Sequence, residues 1–306
     1  MDSRSDHHFA SAVAHADFNA LVPAAGVGRR GFMAGSLAAG FAASVAPSGD
    51  LLAQVISTPS DGLRTGEARV PTADGLSLPV YFAAPAAREN APVILVVQEI
   101  FGVHEHIRDI CRRFAREGWF AVAPELFFRA GDPSKAEAAA QILQTIVPKV
   151  IDAQVMTDLD ASLEFARANG ADRARVGITG FCWGGRITWL YAAHNPAVRA
   201  GVAWYGRLTG DTGPATPQHP YDVAGRLNGP VLGLYGGVDA GIPLATVEEM
   251  KKRLAAGSAS ARVSDFVVYP DAPHAFHADY RPSYRKEAAA DGWKRAVEWF
   301  RRHGLA

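Results

Sequence analysis

The chain has 306 residues, 48% of them hydrophobic, which suits one large domain or two small ones around a substantial core. Basic and acidic residues balance at 31 each, so no net charge argues for a nucleic-acid surface or for cationic partners. Two cysteines, Cys111 and Cys182, are too few for a disulfide framework, and no apolar run in the body of the chain reaches the roughly 18 residues of a membrane span.

Residues 1–55 read as a segment apart from the fold. Gly28-Arg29-Arg30-Gly31-Phe32-Met33 leads into the small, apolar run Ala34–Ala46 and then Pro47. Paired arginines, a following Phe and a weakly hydrophobic stretch resemble a twin-arginine export signal with a disordered linker behind it. The apolar part is too short to span a bilayer stably, and its small-residue end suits cleavage near Ala46 or Ala53. Export machinery is therefore an expected partner, and a periplasmic or secreted location the expected outcome; a disordered tail on a cytoplasmic protein is the alternative.

The body, residues 65–305, reads as a single domain. Glu67–Val70 and Leu76–Ala83 alternate around a turn-rich Pro71–Gly75 and predict an antiparallel hairpin. Pro92–Val97 is continuously apolar, as in a parallel strand buried on both faces. Ile107–Glu117 is amphipathic, and Trp119–Pro124 predicts another strand. Pro133–Asn169 carries helical spacing with one break near Pro148. Arg175–Thr179, Val198–Tyr205, Val231–Tyr235 and Ser264–Tyr269 predict strands, while Arg186–His194, Leu244–Ala256 and Tyr284–His303 predict helices. Such alternation means a mostly parallel central sheet with helices on both faces, the α/β class. Gly206–Asn228, rich in Gly, Pro and Thr, reads as a long loop over the strand ends.

The chemistry centres on Val176–Gly185. A strand runs into Gly180-Phe181-Cys182-Trp183-Gly184-Gly185 and a helical segment follows, the layout of a nucleophile elbow with cysteine in the serine's place. So tight a turn needs nearly side-chain-free residues two before and two after the nucleophile, here Gly180 and Gly184. Cys182 would emerge at a helix N-terminus, where the dipole and unpaired N–H groups favour a thiolate and an oxyanion. The bland alternative is a small buried hydrophobe, and that is the reading for Cys111 in its helical segment.

A cysteine of this kind needs an acid and then a histidine, each just past a later strand. Asp239 follows Val231–Tyr235 through Gly236-Gly237, and His274 follows the next strand in Pro270-Asp271-Ala272-Pro273-His274. His274 takes the place of the general base, and Asp239 that of the group orienting its ring. Asp271 ranks below Asp239 as a turn former, and His277 is the second-choice base. His104-Glu105-His106 lacks the spacing of a helical metal site, and neither Gly26-Val27-Gly28 nor Gly236-Gly237 forms a phosphate loop. No metal or cofactor is expected. Trp183, Trp204, Tyr205 and Tyr280 are read as core or pocket aromatics.

Four motifs in order carry a specific resemblance: Gln98-Glu99-Ile100-Phe101-Gly102-Val103, Gly180-Phe181-Cys182-Trp183-Gly184-Gly185, Tyr235-Gly236-Gly237 with Asp239, and Asp271-Ala272-Pro273-His274-Ala275-Phe276. Together they resemble the dienelactone hydrolase (carboxymethylenebutenolidase) family over roughly residues 65–305. The resemblance implies an α/β-hydrolase fold, an ester or lactone substrate, and a Cys-His-Asp triad at Cys182, His274 and Asp239. It also implies a glutamate beside the resting cysteine, at Glu99, and an oxyanion hole of backbone N–H groups at Ile100 and Trp183. A carboxylate there would disfavour the thiolate until substrate displaced it. One departure stands out. The family's substrate-holding arginine after the catalytic His falls on Ala278, leaving Arg207, Arg281 and Arg285 as neighbours in sequence. A non-catalytic small-molecule binding protein on the same fold is the alternative function.

Overall fold

The computed structural model of the chain describes residues 55–306. The expected export signal lies outside the described residues. Eight strands form one sheet: β1 (Leu63–Pro71), β2 (Ser77–Pro85), β3 (Ala91–Val97), β4 (Phe120–Pro124), β5 (Ala171–Phe181), β6 (Val198–Trp204), β7 (Val231–Gly236) and β8 (Asp265–Tyr269). Their order is β1-β2-β4-β3-β5-β6-β7-β8. The hairpin β1–β2 and the junction of β2 with β4 are antiparallel, and every later pairing is parallel. All residues of β3, β4 and β7 are buried, so helices must cover both faces of the sheet there, as their unbroken apolar sequences require.

The helices are α1 (Glu105–Arg116), α2 (Ala139–Thr145), α3 (Asp152–Ala168), α4 (Trp183–His194), α5 (Pro220–Val223), α6 (Leu244–Ala255), α7 (Ala259–Arg262) and α8 (Lys286–Arg302). Helix α1 packs on β2 and β4, α3 on β3, β4 and β5, α4 on β5 and β6, and α8 on β6 and β7. Cys111 lies fully buried in α1, and burial pushes its thiol far up. Among the described residues no helix is long and apolar enough to cross a membrane.

Three elements differ from expectation, each for a local reason. Strand β5 begins at Ala171 rather than Arg175, because Ala171 pairs with Ala91 and an irregularity follows. There Asp172 Oδ1 accepts the N–H groups of both Ala174 and Arg175, absorbing the polar residues. Helix α4 starts at Trp183, directly after Cys182, so Gly184 and Gly185 are helical. The 206–228 stretch contains α5, whose start is closed by His219 N–H donating to Asp222 Oδ2 at 2.8 Å. Arg186 on α4 ties that stretch down. Its guanidinium binds Asp152 at 2.6 and 2.8 Å and reaches Gln218 O at 2.6 Å and His219 Nδ1 at 3.3 Å.

Before β1, residues 56–59 run as a strap over α1. Thr58 N–H donates to Asp109 Oδ1 at 2.5 Å and Ile56 N–H to Asp279 Oδ2 at 3.3 Å. Arg112 and Arg116 donate to the carbonyls of Thr58 and Pro59. Asp279 also binds His106 Nδ1 at 3.1 Å and Arg113 at 2.7 Å. Burial disfavours its charge, but His106 and Arg113 outweigh that and hold it at about 2.

Candidate active site

The carboxyl ends of β3, β5, β6, β7 and β8 meet at one edge, where an open α/β sheet gathers its ligand groups. Cys182 stands there at φ 56° and ψ −115°, a strained conformation for a residue with a side chain. Its N–H is held by Trp204 O at 3.0 Å. The elbow closes because its glycines lack Cβ atoms. A Cβ on Gly180 would overlap the Gly184 carbonyl, and one on Gly184 would sit 2.5 Å from both Val97 O and Gln98 O. Sequence spacing and packing therefore agree at both positions.

His274 and Asp239 come together as expected. His274 Nδ1 lies 2.8 Å from Asp239 Oδ2, and the other carboxylate oxygen accepts Gly241 N–H at 3.0 Å. Asp239 is 5% exposed, so this pairing is made out of water. Burial works against a charged His274 ring, but the nearby Cys182 sulfur and the Asp239 carboxylate raise it well above an ordinary histidine. Asp271, by contrast, is exposed on the turn. His277 is buried against Trp204, ring centroids 4.4 Å apart, and burial lowers it strongly; its surroundings are those of a core histidine.

Glu99 lies just beyond β3, 2% exposed. Tyr280 Oη donates to its Oε2 at 2.6 Å, and His104 Nε2 lies 3.9 Å away. Burial opposes the Glu99 charge, yet His104, the Arg281 guanidinium and Tyr280 outweigh it and hold the carboxylate well below the usual range. Burial also keeps His104 below an ordinary histidine, so Arg281 is the fixed positive charge of this group. Tyr280 is the hydrogen-bond donor to Glu99 and His104 its close neighbour, and no hydrogen bond between Glu99 and the Cys182 thiol is seen among the described residues. His104 is thus a largely buried neighbour of Glu99. Among the described residues no cluster of His, Cys, Asp and Glu could hold a metal.

Ile100 forms the turn after β3, and its N–H takes no backbone hydrogen bond among the described residues. Trp183 is the first residue of α4, where an N–H has no partner within its own helix. Both amides therefore belong to the loops flanking Cys182. The Trp183 ring packs edge-on against Phe127, centroids 4.8 Å apart.

Of the three candidate arginines, Arg207 and Arg285 are exposed, and Arg281 is buried, at 2% exposure. It lies over Phe101 at 4.4 Å, and its Nε and one terminal nitrogen have no hydrogen-bond partner. Tyr205 is fully buried, its hydroxyl also lacks a partner, and its ring meets His274 edge-on at 5.1 Å. Neither orphaned donor was visible in sequence, where aromatic and arginine positions near the motifs look alike. The one sequence signal was that Arg281 shares the loop of His274.

Known proteins share this chain's sequence and fold. The model of the dienelactone hydrolase family matches residues 78–304. A protein of Methylorubrum extorquens provisionally named carboxymethylenebutenolidase is 58% identical over 95% of this chain and 98% of its own length. One from Escherichia coli strain K12 with the same provisional name is 52% identical, over 89% of this chain and 98% of its own. The crystal structure of a provisionally named dienelactone hydrolase from Klebsiella pneumoniae superposes with a TM-score of 0.76 at 53% identity, covering 78% of this chain and 99% of that one.

Proposed function

The chain belongs to the dienelactone hydrolase family of the α/β-hydrolase superfamily and is a carboxymethylenebutenolidase-like hydrolase, and from that premise we propose that it opens an ester or lactone through Cys182. The observation that carries the reading is the strained cysteine at the start of α4, at the same end of the sheet as a histidine that Asp239 orients. Membership of a hydrolase family sets aside the non-catalytic binding protein as the alternative.

The proposed reaction follows from these groups. Asp239 takes the Nδ1–H of His274, which leaves Nε2 for the thiol proton. The sulfur attacks the carbonyl carbon, and the carbonyl electrons move onto oxygen, which the Ile100 and Trp183 N–H groups stabilise. Collapse breaks the C–O bond, and His274 returns the proton to the leaving oxygen. His274 then deprotonates a water that attacks the thioester, releasing the acid and restoring the thiol. Arg281 completes the reading in place of the arginine missing at Ala278. A buried guanidinium with two unpartnered N–H groups calls for an anion, so the substrate carries an acidic group beside its ester. Glu99 balances that charge without occupying it.

The test is turnover of lactones and aryl esters bearing a carboxylate, with mass spectrometry of the quenched enzyme. An acyl adduct on Cys182, and loss of turnover by at least about 1,000-fold in Cys182→Ala, is expected. Turnover at native rate by that variant refutes the mechanism.

A further inference from the structure

Among the described residues, four that are not glycine adopt positive φ, and three of them, Cys182, Tyr205 and Ala275, flank the site. The strain at Cys182 belongs to the elbow, and that at Ala275 to the turn behind His274. Tyr205, at φ 38°, has no such role assigned. It ends β6 as Cys182 ends β5, and its N–H is tied to Leu234 O at 2.8 Å. The next residue is held as well: Tyr235 Oη donates to Gly206 O at 2.9 Å and itself accepts from Trp189 Nε1 at 3.3 Å. Backbone held this firmly in a sparsely populated conformation aims its side chain for a reason.

The side chain is aimed at the site. Its ring meets His274 and Phe276 edge-on, centroids 5.1 and 5.3 Å away. Burial first, then Glu99, Tyr280 and Cys182, pushes the phenol far above its ordinary value. The carbonyl just before it, Trp204 O, holds the Cys182 N–H at 3.0 Å, so the ring stands beside the elbow with its buried hydroxyl untaken by any protein group, and the shift keeps it an O–H donor at any working pH. A buried hydroxyl without a partner costs stability and persists where something else uses it.

We infer that the Tyr205 hydroxyl is a substrate-contacting group, donating a hydrogen bond to an oxygen of the bound acyl substrate beside Cys182. It is a further donor beyond the two backbone N–H groups. Because the apo protein leaves it unpaired, its bond forms only when substrate arrives, so its effect falls on catalysis and not on folding. This inference rests on the assignment of Cys182 as nucleophile.

Tyr205→Phe separates a chemical role from a structural one, since the ring and its contact with His274 stay. Three measurements decide: kcat and KM on a carboxylate-bearing lactone, the midpoint of thermal unfolding, and the rate at which iodoacetamide alkylates Cys182. The expected result is a fall in kcat/KM of about 10- to 100-fold, with alkylation unchanged and the unfolding midpoint at or above native. A kcat/KM within twofold of native overturns the inference. So does a fall accompanied by slowed alkylation, which would make Tyr205 a support for His274. Cys182→Ala run in parallel keeps the two ideas apart. If it is inactive while Tyr205→Phe is fully active, only this inference fails; if it turns over, the nucleophile assignment has failed and takes the inference with it.

Discussion

Glu125, just past β4, is the sharpest test of the electrostatics behind the loop that follows β3. One carboxylate oxygen accepts Val103 N–H at 2.7 Å, and the other has no partner. Burial, opposed by the Val103 bond, raises the group from an ordinary 4.5 to about 7. At about 1.4 kcal/mol per unit, that shift is worth about 3 kcal/mol, and about 2 kcal/mol once solvent at this partly exposed group is allowed for. The folded pKa lies above the unfolded one, so the contribution is fully present below about pH 4.5 and is lost as pH rises through about 7. Glu125→Gln fixes the neutral form, and its amide oxygen can still accept Val103 N–H. Urea unfolding of both proteins should give similar stability near pH 4.5, with the variant ahead by about 2 kcal/mol at pH 8. A stability difference that stays constant from pH 4.5 to 8 would refute the reasoning, because a carboxylate with an ordinary pKa has almost finished titrating by pH 6.

Two further outcomes follow from the site. Gly180→Ala drives a methyl group into the Gly184 carbonyl. The backbone there cannot yield without moving Cys182, so the variant should lose about 1–3 kcal/mol in a thermal melt and most of its kcat; native values of both would contradict the elbow packing. Arg281→Met keeps an apolar stem over Phe101 but removes the charge, so KM for a carboxylate-bearing substrate should rise about tenfold or more. A neutral aryl ester should be far less affected, and an equal effect on both would remove Arg281 from substrate binding.

Most of the scaffold was legible because buried parallel strands are continuously apolar and the intervening helices are not. The pairing order was not, since nothing in the residues of β3 and β4 states that β4 lies between β2 and β3. At the site, Cys182, Asp239 and His274 were readable because a tight turn demands glycines and because each group follows a strand. Glu99 was readable as a motif residue but not in its surroundings. Its hydrogen-bond donor Tyr280 lies 181 residues away, and only the fold brings the two together. Tyr205 looked like core packing because an unpaired hydroxyl is a property of three-dimensional neighbours, which no spacing encodes.

The strap before β1 bears on the order in which the chain can assemble. Its bond from Ile56 to Asp279 joins residues 223 apart in sequence, and a contact that closes so long a loop forms late. The strap's bonds from Thr58 and Pro59 to α1 close much shorter loops, whereas Asp279 shares its loop with His274, so the Ile56 bond alone waits for that later segment. The strap therefore draws on both halves of the chain: α1 can hold its Thr58 end early, and the last bond, from Ile56, links it to the loop that also carries His274.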